Sequence, residues 1–189
     1  PQHVVSDKFK APDFTSPAYG KQVDPYLATI NKARMYLAMK IREQGFNRGP
    51  MIEKFQKTVD GKAEQEPWCA AFVCTILKEV ADDLAIDHIR FSEHCQTMFR
   101  ANKLYQRKDP KPGFQVVWGV NGSDRGHTGI CETEFDKDGY FYTIEGNTSG
   151  GGDSREGDGV YRVKRHRSAW KGYTLLGFID PWTPKESEG

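Results

Sequence analysis

No run of hydrophobic residues in this sequence is long enough for a membrane-spanning helix, which takes about 20 apolar residues. The chain also lacks a large excess of charge of either sign. Its 27 lysines and arginines nearly balance its 26 aspartates and glutamates, so the formal net charge is +1. A balanced charge gives no general attraction to nucleic acid. We therefore expect neither membrane insertion nor nucleic-acid binding.

Cysteine is scarce, and its positions follow no familiar pattern. Cys69, Cys74, Cys95 and Cys131 form no CxxC pair and no dense framework of the kind that staples a small secreted domain. Free cysteine packs as a small hydrophobic residue. We expect three of the four to be inert core thiols.

A zinc site would be another use of the cysteines and histidines between residues 74 and 95. The candidate ligands are Cys74, His88, His94 and Cys95. Their spacings match no structural zinc pattern, and the adjacent residues His94 and Cys95 would point in different directions on a helix. We therefore expect no metal site here.

The N-terminal residues lack the apolar segment of a signal peptide. Residues 1–23 are polar, and Pro12 and Pro17 disfavour helix, so we interpret this stretch as an extended leader. The sequence fits both a protein made without a signal and one whose signal has been removed. With no repeat and no inter-domain linker, a length of 189 residues predicts a single domain over 1–189.

The order of the predicted elements indicates the fold class. Apolar residues at helical spacing predict helices that begin at Asp24-Pro25, Pro50, Pro67 and Ser92. The first has the stripe Leu27, Ile30, Ala33, Leu37 and Ile41 and is expected to end at Gly45. Strands are predicted over 114–120, 127–135, 140–145, 159–163 and 174–179. Helices followed by strands predict an α+β domain in which N-terminal helices pack on a C-terminal antiparallel sheet.

Cys69 has the best setting for a reactive thiol. Because Pro67 marks the start of a helix, Cys69 should lie in the first turn, where the positive end of the helix dipole stabilises a thiolate. Cys95 lies near the start of the helix that begins at Ser92. Helix position alone therefore does not single out Cys69.

A catalytic thiol also needs a base, and His127 is the best candidate of the five histidines. Its small neighbours Gly126 and Thr128-Gly129 would let it face a groove from the start of a strand. The imidazole in turn needs a partner that fixes its orientation and tautomer. Glu145 and Asn147 lie two residues apart at the end of a predicted strand, so both should share one face. Either could accept the hydrogen bond.

The turn between the two strands decides whether His127 and Glu145 share a face. Directly opposed residues of an antiparallel strand pair point to the same face of the sheet. Because 127 and 145 are both odd, His127 and Glu145 share a face only if the residue numbers of each opposed pair add up to an even sum. A three-residue loop closed by Asp136 and Tyr140 satisfies this condition, whereas a two-residue turn would not. The predicted register places Glu145 opposite Cys131.

These stretches resemble motifs of the CHAP family, the cysteine, histidine-dependent amidohydrolases and peptidases. The similar segments are RGP at 48–50, EPWCAAFV at 66–73, GHTGI at 126–130 and TIEGNT at 143–148. The order Cys, His, Glu, Asn also matches, and the resemblance extends over about residues 24–179. One departure is Phe114, which follows Pro-Gly where the family often has aspartate.

The resemblance implies a papain-like α+β fold and cleavage of an amide bond in bacterial peptidoglycan without a cofactor. It further implies a bacterial or phage protein that is similar to the endolysins, and we expect a monomer. Of the site residues, Cys69 would be the nucleophile and His127 the base, with Glu145 or Asn147 as the partner of the ring. The candidate substrate-binding residues are Trp68, Gly126 and Gly146.

Several alternatives stay open within and outside this family. The cleaved bond could be the muramoyl-L-alanine amide or a peptide bond of the stem or crossbridge. A non-catalytic wall-binding or virion structural module, and a deamidase or transglutaminase acting on protein, are the other functions considered.

Two further segments have less specific interpretations. The glycine-rich stretch 147–159 is a loop that either borders a substrate groove or only connects two strands. A basic run is interpreted as a solvated strand face in preference to a contact with anionic wall polymers. Its members are Arg162, Lys164, Arg165, His166, Arg167 and Lys171.

Overall fold

The computed structural model describes residues 23–150 and 157–186. In these residues four α-helices precede a sheet of six strands. The helices are α1 (Pro25–Ala38), α2 (Pro50–Asp60), α3 (Cys69–Leu84) and α4 (Cys95–Ala101). The strands are β1 (Gln106–Arg107), β2 (Gln115–Val120), β3 (Gly126–Cys131), β4 (Tyr140–Thr148), β5 (Gly159–His166) and β6 (Tyr173–Ile179). The α+β prediction is confirmed, while the predicted leader lies almost wholly outside the described residues.

Helix α1 begins where predicted but ends earlier and buries a different stripe. The Asp24 carboxylate accepts a hydrogen bond from the Tyr26 backbone N–H (2.9 Å), which caps the first turn. The helix ends at Ala38 rather than near Gly45. Leu27, expected on the buried face, is 51% exposed. Thr29 is buried instead, because its hydroxyl donates to the Pro25 carbonyl one turn back (2.7 Å).

Helix α3 is the central helix of the fold. It starts at Cys69, two residues after the predicted Pro67, with Trp68 at the N-cap position. Every residue from Cys69 to Leu77 is buried, because the helix packs against α1, α2 and strands β3 and β4. A helix that is apolar on nearly all sides belongs in a core. Its N-terminus is thereby fixed against the sheet.

The strands form one antiparallel sheet with the order β1-β6-β2-β3-β4-β5. One face packs on the helices through side chains such as Val117, Ile130 and Ile144. The other face has its own cluster, which includes Trp118, Cys131 and Phe141. Because successive residues of a strand point to opposite faces, β3 contributes to both cores.

The β3–β4 hairpin has the predicted loop but not the predicted register. The Asp136 N–H donates to the Tyr140 carbonyl (2.8 Å), which closes a three-residue loop. Farther along, Cys131 pairs with Thr143, so Glu145 does not lie opposite Cys131. Residues 133–135 leave the strand and shift the register by two positions. A register shift of two positions keeps every side chain on its face of the sheet, so His127 and Glu145 still share one face.

Strand ends differ from the sequence prediction in both directions. β3 ends at Cys131 rather than at Phe135, whereas β4 continues to Thr148 and β5 to His166. The extension of β5 brings residues of the basic run into the sheet. That extension becomes important at the candidate site.

Candidate active site

Cys69 lies at the edge of a groove of about 610 Å³ where α3, α4, β3 and β4 begin or end. Cys69, Cys95, Gly126, His127 and Asn147 are among its lining residues. The Cys69 side chain is 7% exposed, so a substrate can approach it from one side only. As the first residue of α3, it lies at the positive end of the helix dipole.

His127 is held by Glu145 beside this groove. The imidazole Nε2 and the Glu145 Oε1 are 2.6 Å apart, and both side chains are buried. This bond occupies Nε2 and leaves Nδ1 as the nitrogen available to the thiol. The sequence prediction that His127 and Glu145 share a face agrees with this geometry.

Gly129 makes the close approach of β3 and β4 possible. The β3–β4 register, continued from Ile130 and Ile144, brings Glu145 opposite Gly129. A Cβ at Gly129 would lie 2.5 Å from the Glu145 Cγ and 3.0 Å from the Ile144 carbonyl oxygen. Glycine inside a strand commonly marks such an approach, so the position of Gly129 is a sequence signal for the contact between β3 and β4.

The electrostatic setting keeps His127 protonated. Burial alone would lower its pKa, but the Glu145 charge and hydrogen bonds to Cys69 and Glu145 raise the pKa from 6.5 to about 9. The imidazolium therefore predominates at neutral pH. A cation beside Cys69 favours the thiolate, which is the nucleophilic form of cysteine.

Glu145 is kept ionised although it is buried completely. Burial raises the pKa of its carboxyl group, but the charges of Arg165 and His127 hold that pKa well below its usual range. Arg165 Nε donates to Oε2 (2.9 Å) and Nη2 donates to Oε1 (2.6 Å). The Thr143 hydroxyl also donates to Oε2. Each carboxylate oxygen thus has at least two donors.

Arg165 corrects the interpretation of the basic run as a solvated face. Its side chain is only 6% exposed, because β5 turns it toward Glu145 and not toward solvent. The guanidinium carbon lies 4.0 Å from the Trp170 ring centroid and 5.1 Å from that of Trp118. Trp118 also stacks on His127 at 5.8 Å. No prediction from the sequence placed Arg165, Trp170 or Trp118 at the site.

Asn147 borders the groove but is not the partner of the His127 Nε2. Its backbone is left-handed (φ 52°), and the β4–β5 register is irregular between Glu145 and Thr148. This irregularity breaks the two-residue alternation on which a shared face with Glu145 depended. The Asn147 side chain is half-buried at the groove wall.

The candidate substrate-binding residues occupy different positions. Gly126 lines the groove, where a Cβ would collide with the Cys95 Sγ. Trp68 is fully buried, and its indole N–H donates to Glu43 Oε1 (2.8 Å). A Cβ at Gly146 would lie 2.7 Å from the Trp68 ring. Trp68 and Gly146 therefore pack behind Cys69 and offer no surface to a substrate.

The other three cysteines are buried thiols with raised pKa values. Burial raises the pKa of Cys74 to about 12 and raises those of Cys95 and Cys131 as well. The negative charge of Cys69 adds to the rise at Cys95. All three thiols stay protonated at neutral pH, including Cys95, which borders the same groove.

The described residues contain neither a metal-binding cluster nor a membrane-spanning helix. Within the described ranges, no group of three or more His, Cys, Asp or Glu side chains could hold a metal ion. His88, weighed above as a zinc ligand, stacks on Phe91 with ring centroids 3.9 Å apart. No helix in that part of the chain has the length and apolarity needed to cross a membrane.

Comparison with known proteins agrees with this geometry. Residues 61–147 match the family model of the CHAP domain, whereas no curated protein matches the chain. The matched segment contains Cys69, His127, Glu145 and Asn147 and includes α3 and β3. The helices followed by an antiparallel sheet are the papain-like arrangement expected of this family. Residues 61–147 are therefore similar to the CHAP domain, which supports a relation of this segment to peptidoglycan amidases and peptidases.

Proposed function

We propose that this protein hydrolyses an amide bond of bacterial peptidoglycan with Cys69 as nucleophile and His127 as acid and base. The observation that carries the proposal is the placement of His127 with Cys69 in the lining of one groove, where the His127 Nε2 is bonded to a buried, ionised Glu145. Glu145 is the primary partner of the ring, and Asn147 supports the site from the groove wall.

The first half of the reaction forms an acyl-enzyme. The Cys69 thiolate attacks the carbonyl carbon, and the carbonyl oxygen takes the negative charge. N–H groups of a helix's first turn have no partner within the helix, so those at the start of α3, including that of Cys69, can stabilise this oxyanion. The His127 imidazolium then gives its proton to the leaving nitrogen, and the C–N bond breaks to release an amine.

The second half releases the other product. His127, now neutral, takes a proton from a water molecule that attacks the thioester carbon. The carbon–sulfur bond breaks, and the product leaves as a carboxylic acid that loses its proton to solvent. The thiolate and the imidazolium are restored. No cofactor takes part in this proposed sequence.

The site is assembled from α3, β3, β4 and β5 of one chain, which supports a single catalytic domain and a monomer as the active unit. The bond that is cut is either the muramoyl-L-alanine amide or a peptide bond of the stem or crossbridge. These bonds give different new amines, so the fragments identify the bond.

The test is digestion of purified peptidoglycan followed by mass spectrometry of the soluble fragments. We expect the wild type to release fragments with one new type of amine end and Cys69→Ala to release none. Cys74→Ala is the matched control, because it removes one sulfur from the same helix at a buried thiol whose partners are the Ser92 carbonyl and the Met98 sulfur. Thermal melting of both variants checks that they fold.

Three outcomes would contradict the proposal. Wall binding without any released fragment would indicate a non-catalytic module. Release of ammonia from glutamine-containing proteins, with intact peptidoglycan, would indicate a deamidase. Equal digestion by the wild type and Cys69→Ala would remove the thiol from the mechanism.

A further inference from the structure

We propose that Arg165 is a positioning residue of the site, which orients the Glu145 carboxylate so that Glu145 can hold His127 in its working position. The inference rests on the proposed function and adds a residue to it. Arg165 is not among the residues that line the groove. It acts through Glu145.

Two hydrogen bonds from Arg165 fix the orientation of the Glu145 carboxylate plane. The two guanidinium donors reach different oxygens of Glu145, at 2.9 Å and 2.6 Å. Such forked pairing of a planar donor with a planar acceptor specifies orientation as well as distance. Because Oε1 also meets the His127 Nε2, any rotation of the carboxylate would move the imidazole.

The two tryptophans fix the guanidinium itself. Trp170 and Trp118 lie against Arg165, with the guanidinium carbon 4.0 Å and 5.1 Å from their ring centroids. Trp170 also meets the His127 ring edge-on, at 6.2 Å between centroids. Aromatic faces attract a cation and exclude water. The positions of Arg165, Glu145 and His127 are thus set together.

Arg165 also balances the charge on Glu145. Glu145 faces Arg165 from β5, His127 and the Cys131 thiol from β3, and the Thr143 hydroxyl from its own strand. Among these, Arg165 and His127 are the cations. Without Arg165, the imidazolium would be the one cation left among these described neighbours of the buried carboxylate, and it would hold its proton more tightly. A more weakly acidic imidazolium is a poorer proton donor to the leaving amine.

The strand offers a matched control in Arg162. It also pairs with a buried glutamate, since its Nη2 donates to Glu132 Oε2 (2.9 Å). Arg162 lies three residues from Arg165, so it projects from the opposite face of β5. Arg162→Gln therefore removes an ion pair of the same type on the same strand without touching the site.

The experiment compares Arg165→Gln, Arg165→Lys and Arg162→Gln. The His127 pKa is read by NMR titration of the imidazole in a Cys69→Ala background, so that the measurement does not depend on activity. Turnover is measured separately with the thiol present. Lysine keeps the positive charge of Arg165 but lacks the planar guanidinium that bonds both carboxylate oxygens. Arg165→Lys therefore distinguishes the effect of the charge from the effect of carboxylate orientation.

We expect Arg165→Gln to raise the His127 pKa by on the order of one unit and to lower turnover roughly 10- to 100-fold. Arg165→Lys should return the pKa close to that of the parent while restoring turnover only in part. Arg162→Gln should change neither. If Arg165→Gln does not fold, the pKa and turnover of Arg165→Lys still test orientation.

An unchanged His127 pKa in Arg165→Gln, or full turnover in Arg165→Lys, would overturn the inference. A fall in stability alone, equal in the Arg165 and Arg162 variants, would make Arg165 a structural residue and would also overturn it. If the His127 pKa shifts in Arg165→Gln but the wild type cuts no peptidoglycan, the proposed function is refuted. The coupling of Arg165, Glu145 and His127 would still be supported.

Discussion

Replacing Glu145 by glutamine removes one charge from the site and keeps the shape of the side chain. Glu145 is the principal reason that the His127 pKa rises from 6.5 to about 9. Without the charge, burial is opposed mainly by Cys69 and lowers the pKa, so a value near or below 6.5 is expected. The change of about 2.5 units (9 − 6.5) corresponds to on the order of 3 kcal/mol.

The sign of the effect on the pH–rate profile follows from this shift. The proposed mechanism requires the imidazolium at the start of the reaction, so activity should be lost as pH rises through the His127 pKa. The basic limb of the profile should move down from near pH 9 to near pH 6.5 or below. At pH 7 the protonated fraction of His127 would fall from about 99% to roughly a quarter. Loss of ring orientation lowers turnover further, by at least roughly tenfold in total.

The assay is initial-rate clearing of a peptidoglycan suspension between pH 5 and pH 10, with melting curves at each pH. Glu132→Gln is the control, because Glu132 is also buried and also pairs with arginine, through Arg34 (2.8 Å) and Arg162. An unchanged basic limb in Glu145→Gln would refute the reasoning. If Asn147→Ala were inactive at the same time, Asn147 would take over the role of ring partner.

Three more results are expected. Iodoacetamide should label Cys69 well before Cys74, Cys95 or Cys131, as read by peptide mapping, because the three other thiols have raised pKa values; equal labelling of all four would mean that none is activated. Gly129→Ala should lower the free energy of unfolding by about 1–3 kcal/mol in a denaturant melt and lower turnover more than tenfold, because its Cβ would displace Glu145. Turnover equal to that of the wild type would show that β3 and β4 can move apart to accept the methyl group. EDTA should leave the clearing rate unchanged, since the proposed steps use no metal, and inhibition that added metal reverses would contradict them.

The catalytic candidates could be found from sequence because each has a local signature. Cys69 follows a proline at a helix start, and His127 lies among small residues. The prediction that His127 meets Glu145 required only that the two side chains lie on the same face of the sheet. An error of two positions in the strand register does not change the face, so the prediction was still correct. Asn147 was harder to place, because its left-handed backbone breaks the alternation of the strand.

Arg165 shows why the rest of the site could not be seen in the same way. In the sequence it lies among other basic residues, and such a run usually indicates solvent. Its burial depends on β5 continuing beyond Val163 and on Val163 and Arg165 sharing one face of the sheet. The partner that makes a buried cation tolerable is Glu145 on the neighbouring strand. That pairing is a property of the assembled sheet.

Because the charges of Glu145, His127 and Arg165 are buried, dissolved salt should affect bond cleavage and substrate binding differently. Mobile ions weaken interactions between exposed charges over a Debye length of about 8 to 10 Å, but they reach buried pairs much less. Glu145, His127 and Arg165 have almost no exposed surface. Ionic strength should therefore leave the rate of bond cleavage in the bound complex nearly constant. Any salt dependence of wall digestion would then report on how the exposed surface meets the anionic wall.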